Sequence, residues 1–304
     1  NNDLDYNPRI HYGKVDCGVY EKPLTLAVPN GSGVVFVDSS RNGNGSSWGN
    51  AVKELADALI AAKYNSSITQ IWVAKGTYYP KYNAADIGSL DCNNSNRRNS
   101  FVLVDGLKMY GGFAGGETDT SEMNPTVNIT TLSGNIGSPV LRDDNTFHVL
   151  IAANLSSAHL AGFHITEGQA IPFQGYTVNG IPVDPAAGAG LYSSGSKLYL
   201  RNCHFFQHKA EFAGGGLFYD AEAATVLTVI DCNWYDNEIS SDYLAASTGL
   251  SAAVHIVSYT QALYANFSGC LFTNNTALHI SRNLFGGALH IGGYYNFNMT
   301  NCDF

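Results

Sequence analysis

The sequence predicts an all-β solenoid, and three observations predict it. The first is a degenerate repeat with four cysteines in one slot. It reads Leu200-Arg201-Asn202-Cys203-His204-Phe205, Val229-Ile230-Asp231-Cys232-Asn233-Trp234, Phe267-Ser268-Gly269-Cys270-Leu271-Phe272 and Met299-Thr300-Asn301-Cys302-Asp303-Phe304. The cysteines lie 29, 38 and 32 residues apart, and periods of roughly 20–50 residues mark stacked supersecondary units. The second is a small-residue element ahead of each: Gly188-Ala189-Gly190-Leu191-Tyr192, Gly214-Gly215-Gly216-Leu217-Phe218, Ser251-Ala252-Ala253-Val254-His255 and Gly286-Gly287-Ala288-Leu289-His290. Period-2 alternation with intervening glycine reads as strands and turns. The third is composition: 13% charged residues, with 32 Gly, 18 Tyr and 15 Phe. That balance suits stacked β-coils better than a helical protein.

The cysteine slot reads as a core position. An earlier unit, Leu160-Ala161-Gly162-Phe163-His164-Ile165, places Phe163 where the others place Cys. A slot that takes Cys or Phe is apolar, and free Cys behaves as a small hydrophobe. Cys203, Cys232, Cys270 and Cys302 are therefore expected to form a buried ladder of reduced thiols. A metal ladder would need a ligand in every coil, and Phe163 interrupts it. Cys17 and Cys92 lie outside the repeat in polar surroundings and are expected to form a disulfide, which implies an oxidising compartment.

Along the chain, residues 1–33 carry Pro8, Pro23 and Pro29 without periodicity and read as an extended arm. Residues 34–130 open the solenoid. Val34-Val35-Phe36-Val37 is a short strand ending in the turn Asn42-Gly43-Asn44-Gly45. A helix follows over about 47–62, capped by Ser46 or Ser47. Val52, Leu55, Ala56, Leu59 and Ile60 make its apolar stripe, with Lys53, Glu54 and Asp57 opposite. One amphipathic helix at this place covers the open first coil and its unpaired strand edges. Strands return at 70–74, 78–80 and 100–113. Residues 131–304 form the coils, expected to continue past residue 304. Insertions at 171–187, 239–250 and 276–285 are where such a scaffold varies and binds.

Net charge is −9, with no Lys/Arg cluster, which excludes nucleic acid and anionic membrane as partners. No apolar run reaches the ~18 residues of a membrane span. Nine sequons begin at Asn30, Asn44, Asn65, Asn93, Asn128, Asn154, Asn266, Asn274 and Asn298. They are N-glycosylation sites in a eukaryotic protein and turn chemistry in a bacterial one.

The stretches Val35-Phe36-Val37-Asp38, Gly45-Ser46-Ser47-Trp48-Gly49-Asn50-Ala51, Ile71-Trp72-Val73-Ala74-Lys75-Gly76-Thr77-Tyr78 and Leu107-Lys108-Met109-Tyr110-Gly111-Gly112-Phe113 resemble the opening of the right-handed parallel β-helix (pectin-lyase-like) proteins. The later coils are similar to polymorphic outer-membrane-protein repeats, which pair Gly-Gly-Ala-Leu with Phe-X-X-Asn. Here these are Gly286-Gly287-Ala288-Leu289 with Phe272-Thr273-Asn274-Asn275, and the variant Trp234-Tyr235-Asp236-Asn237. The resemblance spans about residues 34–304. It implies a right-handed parallel β-helix of secreted or cell-surface type. The Asn is missing in Phe205-Phe206-Gln207-His208 and Ile165-Thr166-Glu167-Gly168, so an Asn ladder should be interrupted there.

The resemblance also raises catalysis, because many such proteins cleave polysaccharides. Hydrolysis needs paired carboxylates roughly 5–9.5 Å apart. The fold's hydrolase motifs Asn-Thr-Asp, Gly-His-Gly and Arg-Ile-Lys are absent, and the one Asp pair, Asp143-Asp144, falls in a predicted turn. A lyase needs a base beside acidic calcium ligands. Residues 146–304 hold only Lys197, Arg201, Lys209 and Arg282 as basic side chains besides His. Asp231, Asp236 and Glu238 cluster without a base. The His164/His204 and His255/His290 columns are read as aromatic stacking rather than metal sites. Tyr192, Phe218, Tyr219, Tyr294 and Tyr295, where exposed, would form a carbohydrate-stacking strip.

The sequence thus describes an extracellular structural or adhesive β-helix, non-catalytic and without cofactor or metal. Its expected partners are further copies of itself, end-to-end or lateral, or cell-surface glycans. The alternative is a carbohydrate-binding or polysaccharide-cleaving β-helix.

Overall fold

The computed structural model describes residues 10–11, 14–15, 27–86, 96–222, 225–241, 251–279 and 287–304. Cys17, Cys92 and Asn93 lie outside the described residues. Among the described residues no helix is long and apolar enough to cross a membrane.

The chain winds as a parallel β-helix with four short walls per coil. One coil shows the plan. Leu191–Ser194 lies on the first wall, Leu198–Arg201 on the second, His204–Phe206 on the third and Lys209–Ala210 on the fourth. Each pairs in parallel with its equivalent in the next coil: Leu217–Asp220, Val226–Ile230, Asn233–Tyr235 and Glu238–Ser241. The right-handed sense is the one in which a twisted strand crosses back to a parallel neighbour. Stacking starts at Val34–Val37, which pairs in parallel with Gln70–Ala74, and that strand in turn with Lys108–Phe113. The long strand Val254–Ser268 serves the first wall with its start and the second with its end.

Period-2 alternation decides what points inward. On the second wall Val35, Ile71, Met109, Leu160, Leu200, Val229, Phe267 and Met299 share one register. On the third wall Phe205, Trp234, Phe272 and Phe304 stack with centroids 5.4, 5.0 and 5.0 Å apart. Between these walls sits the slot of Phe163, Cys203, Cys232, Cys270 and Cys302. The first four are buried and Cys302 is half-buried. All four cysteines are free thiols. Burial pushes the Cys232 thiol well above its ordinary value and Cys270 up to about 12.

The residue before that slot turns the corner. Gly162, Asn202, Asp231, Gly269 and Asn301 have φ of 79°, 49°, 53°, 64° and 51°. Left-handed backbone favours Gly, Asn and Asp, which explains the small polar residue of the repeat. A second corner repeats the device at Glu167, Gln207, Asp236 and Asn274, with φ of 63°, 57°, 55° and 53°.

Two expectations need correction. The helix, α1, spans Leu55–Tyr64 and is preceded by a 3-10 turn at Trp48–Asn50; neither has a side-chain N-cap bond. Val52, assigned to the helical stripe, instead joins the sheet edge. Its N–H donates to Phe36 O at 3.0 Å and its carbonyl accepts from Asp38 N at 2.9 Å. The helix does cover the first coil: Leu55, Ala56, Leu59 and Ala62 share one buried cluster with Val35, Ile71 and Leu103.

The Asn ladder is not interrupted at His208. Asn275 accepts from Asn237 Nδ2 at 2.9 Å, and Asn237 Oδ1 accepts from His208 N at 3.2 Å. His208 Nδ1 accepts from Gly168 N at 3.0 Å while Nε2 lies 3.0 Å from Ile165 O. These two contacts define the Nε2–H tautomer. Imidazole therefore presents one acceptor and one donor, as an Asn amide does, and the ladder ends at Gly168.

Candidate functional site

The outward side chains of the second wall form two neighbouring columns. One runs Gln70, Lys108, His159, Tyr199, Thr228, Asn266, Asn298. The other runs Phe36, Trp72, Tyr110, Ala161, Arg201. Inward Met109, Leu160 and Leu200 alternate with them, which forces the outward set onto one face.

Tyr110, His159 and Tyr199 are half-buried, and their rings follow one another at centroid distances of 5.2 and 4.4 Å. Lys108 and Arg201 are exposed. Neither forms an ion pair with a described residue. Burial, then Lys108, then Arg201 push the His159 imidazole down to about 4, so it is neutral at pH 7. Burial and Tyr199 raise the Tyr110 phenol.

At its start this strip runs into a cleft of about 360 Å³ lined by Asn30, Ser32, Phe36, Gln70, Trp72 and residues 117–120. Trp72 stacks on Phe113 at 5.0 Å and 11°, and its indole N–H donates to Gln70 Oε1 at 3.0 Å. The two acids here are engaged. Glu117 Oε1 accepts from Ala114 N at 2.6 Å, and Oε2 from Gly115 N and Gly116 N at 2.9 Å each. Burial alone would raise the Glu117 carboxyl, but these N–H groups outweigh it and hold it low. Asp119 accepts from Ser121 N at 2.8 Å and caps a short turn. The face therefore offers rings, amides, hydroxyls and two unpaired cations. A second cavity, about 310 Å³, lies between α1 and Leu103 and Leu155. Aliphatic side chains share its lining with Lys63, Asn83, Ser100, Asp105, Asn154 and Asn179.

The predicted site residues are scattered. The proposed aromatic strip does not form, because Tyr192, Phe218 and Tyr219 are buried. Tyr219 points into the core, and the hairpin Tyr176–Val178/Ile181–Val183 covers Tyr192, whose hydroxyl donates to Pro182 O at 3.3 Å. Tyr294 and Tyr295 are 68% and 48% exposed. His164 and His204 stack at 4.4 Å, and Tyr192, Phe218, His255 and His290 continue one stack at 5.3, 5.7 and 4.6 Å. Asp231 and Asp236 are corner residues, and Glu238 pairs with Lys209 at 3.1 Å. Asp144 accepts from Ser138 N at 2.6 Å. Burial and Glu222 push Asp220 up to about 6, on the first wall rather than the second.

The eight described sequon asparagines are exposed or half-buried. Five also serve turns. Asn30, Asn44 and Asn65 accept from the N–H two residues on, and Asn154 and Asn274 sit at φ of 55° and 53°.

Reading the columns from sequence alone missed Lys108, Tyr110, His159 and Tyr199. A signal existed: Lys108-Met109-Tyr110, His159-Leu160-Ala161 and Tyr199-Leu200-Arg201 align on their inward residue.

No protein-family profile matches the chain, and no curated protein matches it. Among solved structures, a pectin methylesterase from Aspergillus niger aligns with 91% of this chain and 86% of its own, at 14% identity and a TM-score of 0.28. That likeness carries no argument about activity; the fold rests on the parallel registers above.

Proposed function

We propose that this chain is a non-catalytic, glycan-binding β-helix of an extracellular or cell surface, and that the outer face of its second wall is the binding face. The observation that carries this is the register. It sets Lys108, His159 and Tyr199 in one column beside Tyr110 and Arg201 in the next. Half-exposed rings stack on sugar faces, and free cations attract acidic substituents. Coils repeat about every 4.8 Å, of the order of one sugar ring, so successive rungs can meet successive residues of a chain lying along the stack. Glu117 and Asp119 are tied to backbone N–H groups, which favours holding a glycan over cleaving it. The accessible sequons support an extracellular setting.

The test is a glycan array at neutral pH with the wild-type chain, Tyr199→Ala and the double variant Lys108→Gln/Arg201→Gln. Binding should favour acidic glycans, weaken at high salt, and fall at least tenfold in either variant. Equal binding by all three proteins overturns the reading.

A further inference from the structure

We propose that His159 is a proton-dependent third cation of the second-wall face, so that an acidic glycan binds more tightly as the pH falls below neutrality. This rests on the glycan-binding reading of the same face.

The argument is positional. His159 lies directly between Lys108 and Tyr199 in its column, with Arg201 on the diagonal. Its ring is held by Tyr110 at 5.2 Å and Tyr199 at 4.4 Å. The groups facing it from the two flanking strands are thus two cations and two phenols. No carboxylate acts on it there, and the described structure gives it no hydrogen-bond partner. A half-buried imidazole between two cations stays neutral at pH 7, consistent with its lowered pKa. An acidic substituent seated at Lys108 and Arg201 reverses the local field. It supplies the missing negative charge and excludes water, so the imidazole takes up a proton on binding. By linkage, a group that gains a proton on binding makes affinity rise as pH falls through its pKa in the complex. With that pKa restored toward the ordinary imidazole value, the gain from pH 7 to pH 5 is roughly tenfold.

The experiment measures binding of a uronic-acid hexasaccharide by calorimetry at pH 7 and pH 5, in two buffers of different ionisation enthalpy. A neutral hexasaccharide of the same length serves as control. Wild type should bind the uronate at pH 7 and about tenfold more tightly at pH 5, taking up a fraction of a proton. His159→Gln, whatever its affinity at pH 7, should lose the gain. A gain that survives in His159→Gln, or equal affinity at the two pH values, overturns the inference and leaves glycan binding standing. Absence of uronate binding at both pH values overturns both. A readout without ligand is the NMR titration of His159. Its midpoint should rise in Lys108→Gln/Arg201→Gln, and an unmoved midpoint counts against the proposal.

Discussion

The backbone N–H of His208 donates to Asn237 Oδ1 over 3.2 Å, which makes a histidine the next rung of an asparagine ladder. The ring then holds the coil above through Gly168 N–H and Ile165 O. All of this is buried. The pair shows that the ladder selects hydrogen-bonding capacity rather than one residue type.

His208→Ala should therefore be costly. It orphans a buried N–H and a buried C=O, each worth about 1–3 kcal/mol. His208→Asn should recover most of the loss, since an amide offers the same acceptor and donor. Urea denaturation of the three proteins at pH 7 checks the order. An alanine variant as stable as the wild type would refute the role.

Acid should destabilise the fold. Burial holds His208 and His255 down to about 3, and His148 and His164 to about 4. The sign follows from comparison with the unfolded chain, whose imidazoles titrate near 6.5. Above that pH neither state is protonated and nothing is lost. Between about 6.5 and 3–4 the unfolded chain binds more protons, so stability falls as pH falls. The melting temperature should drop steadily from pH 7 to pH 4, and less steeply in His208→Asn. A flat profile over that window would contradict the burial of these rings.

Trp234 is fully buried between Phe205 and Phe272, nearly parallel to both, at 4° and 8°. Trp234→Ala should cost about 3–5 kcal/mol, read as a lower denaturation midpoint. Trp234→Phe should cost far less, because the column already alternates with Phe.

The thiol column can be mapped by labelling. Cys203, Cys232 and Cys270 should resist a thiol reagent in the native state and react after unfolding, whereas half-buried Cys302 should react first. Peptide mass mapping distinguishes them. Fast native labelling of Cys232 would show that the slot is open.

At the corner before that slot, Asn202→Gly should be nearly neutral. Asn202→Val should cost about 1–2 kcal/mol, because φ there is 49° and a β-branched side chain resists left-handed backbone. Thermal melts of the two variants give the comparison.

The sequence by itself determined the repeat, the inward columns and the corners. Each depends on local alternation and on backbone preference. Phe163 and the four cysteines share a slot, and Asn202, Asp231 and Asn301 share a turn, whatever lies around them. Long-range cover was decided only by the tertiary structure. Val52 follows helical spacing but serves the edge of Val34–Val37, since pairing with Phe36 and Asp38 satisfies backbone groups that a helix would leave to solvent. Tyr192 looks like a surface ring until the 176–183 hairpin folds over it. Lys108, His159 and Tyr199 are distant in sequence and become neighbours only through parallel register between coils. Local propensity specifies which way a side chain points; which segment then covers it, and which coil lies beside it, is settled by packing of the whole stack.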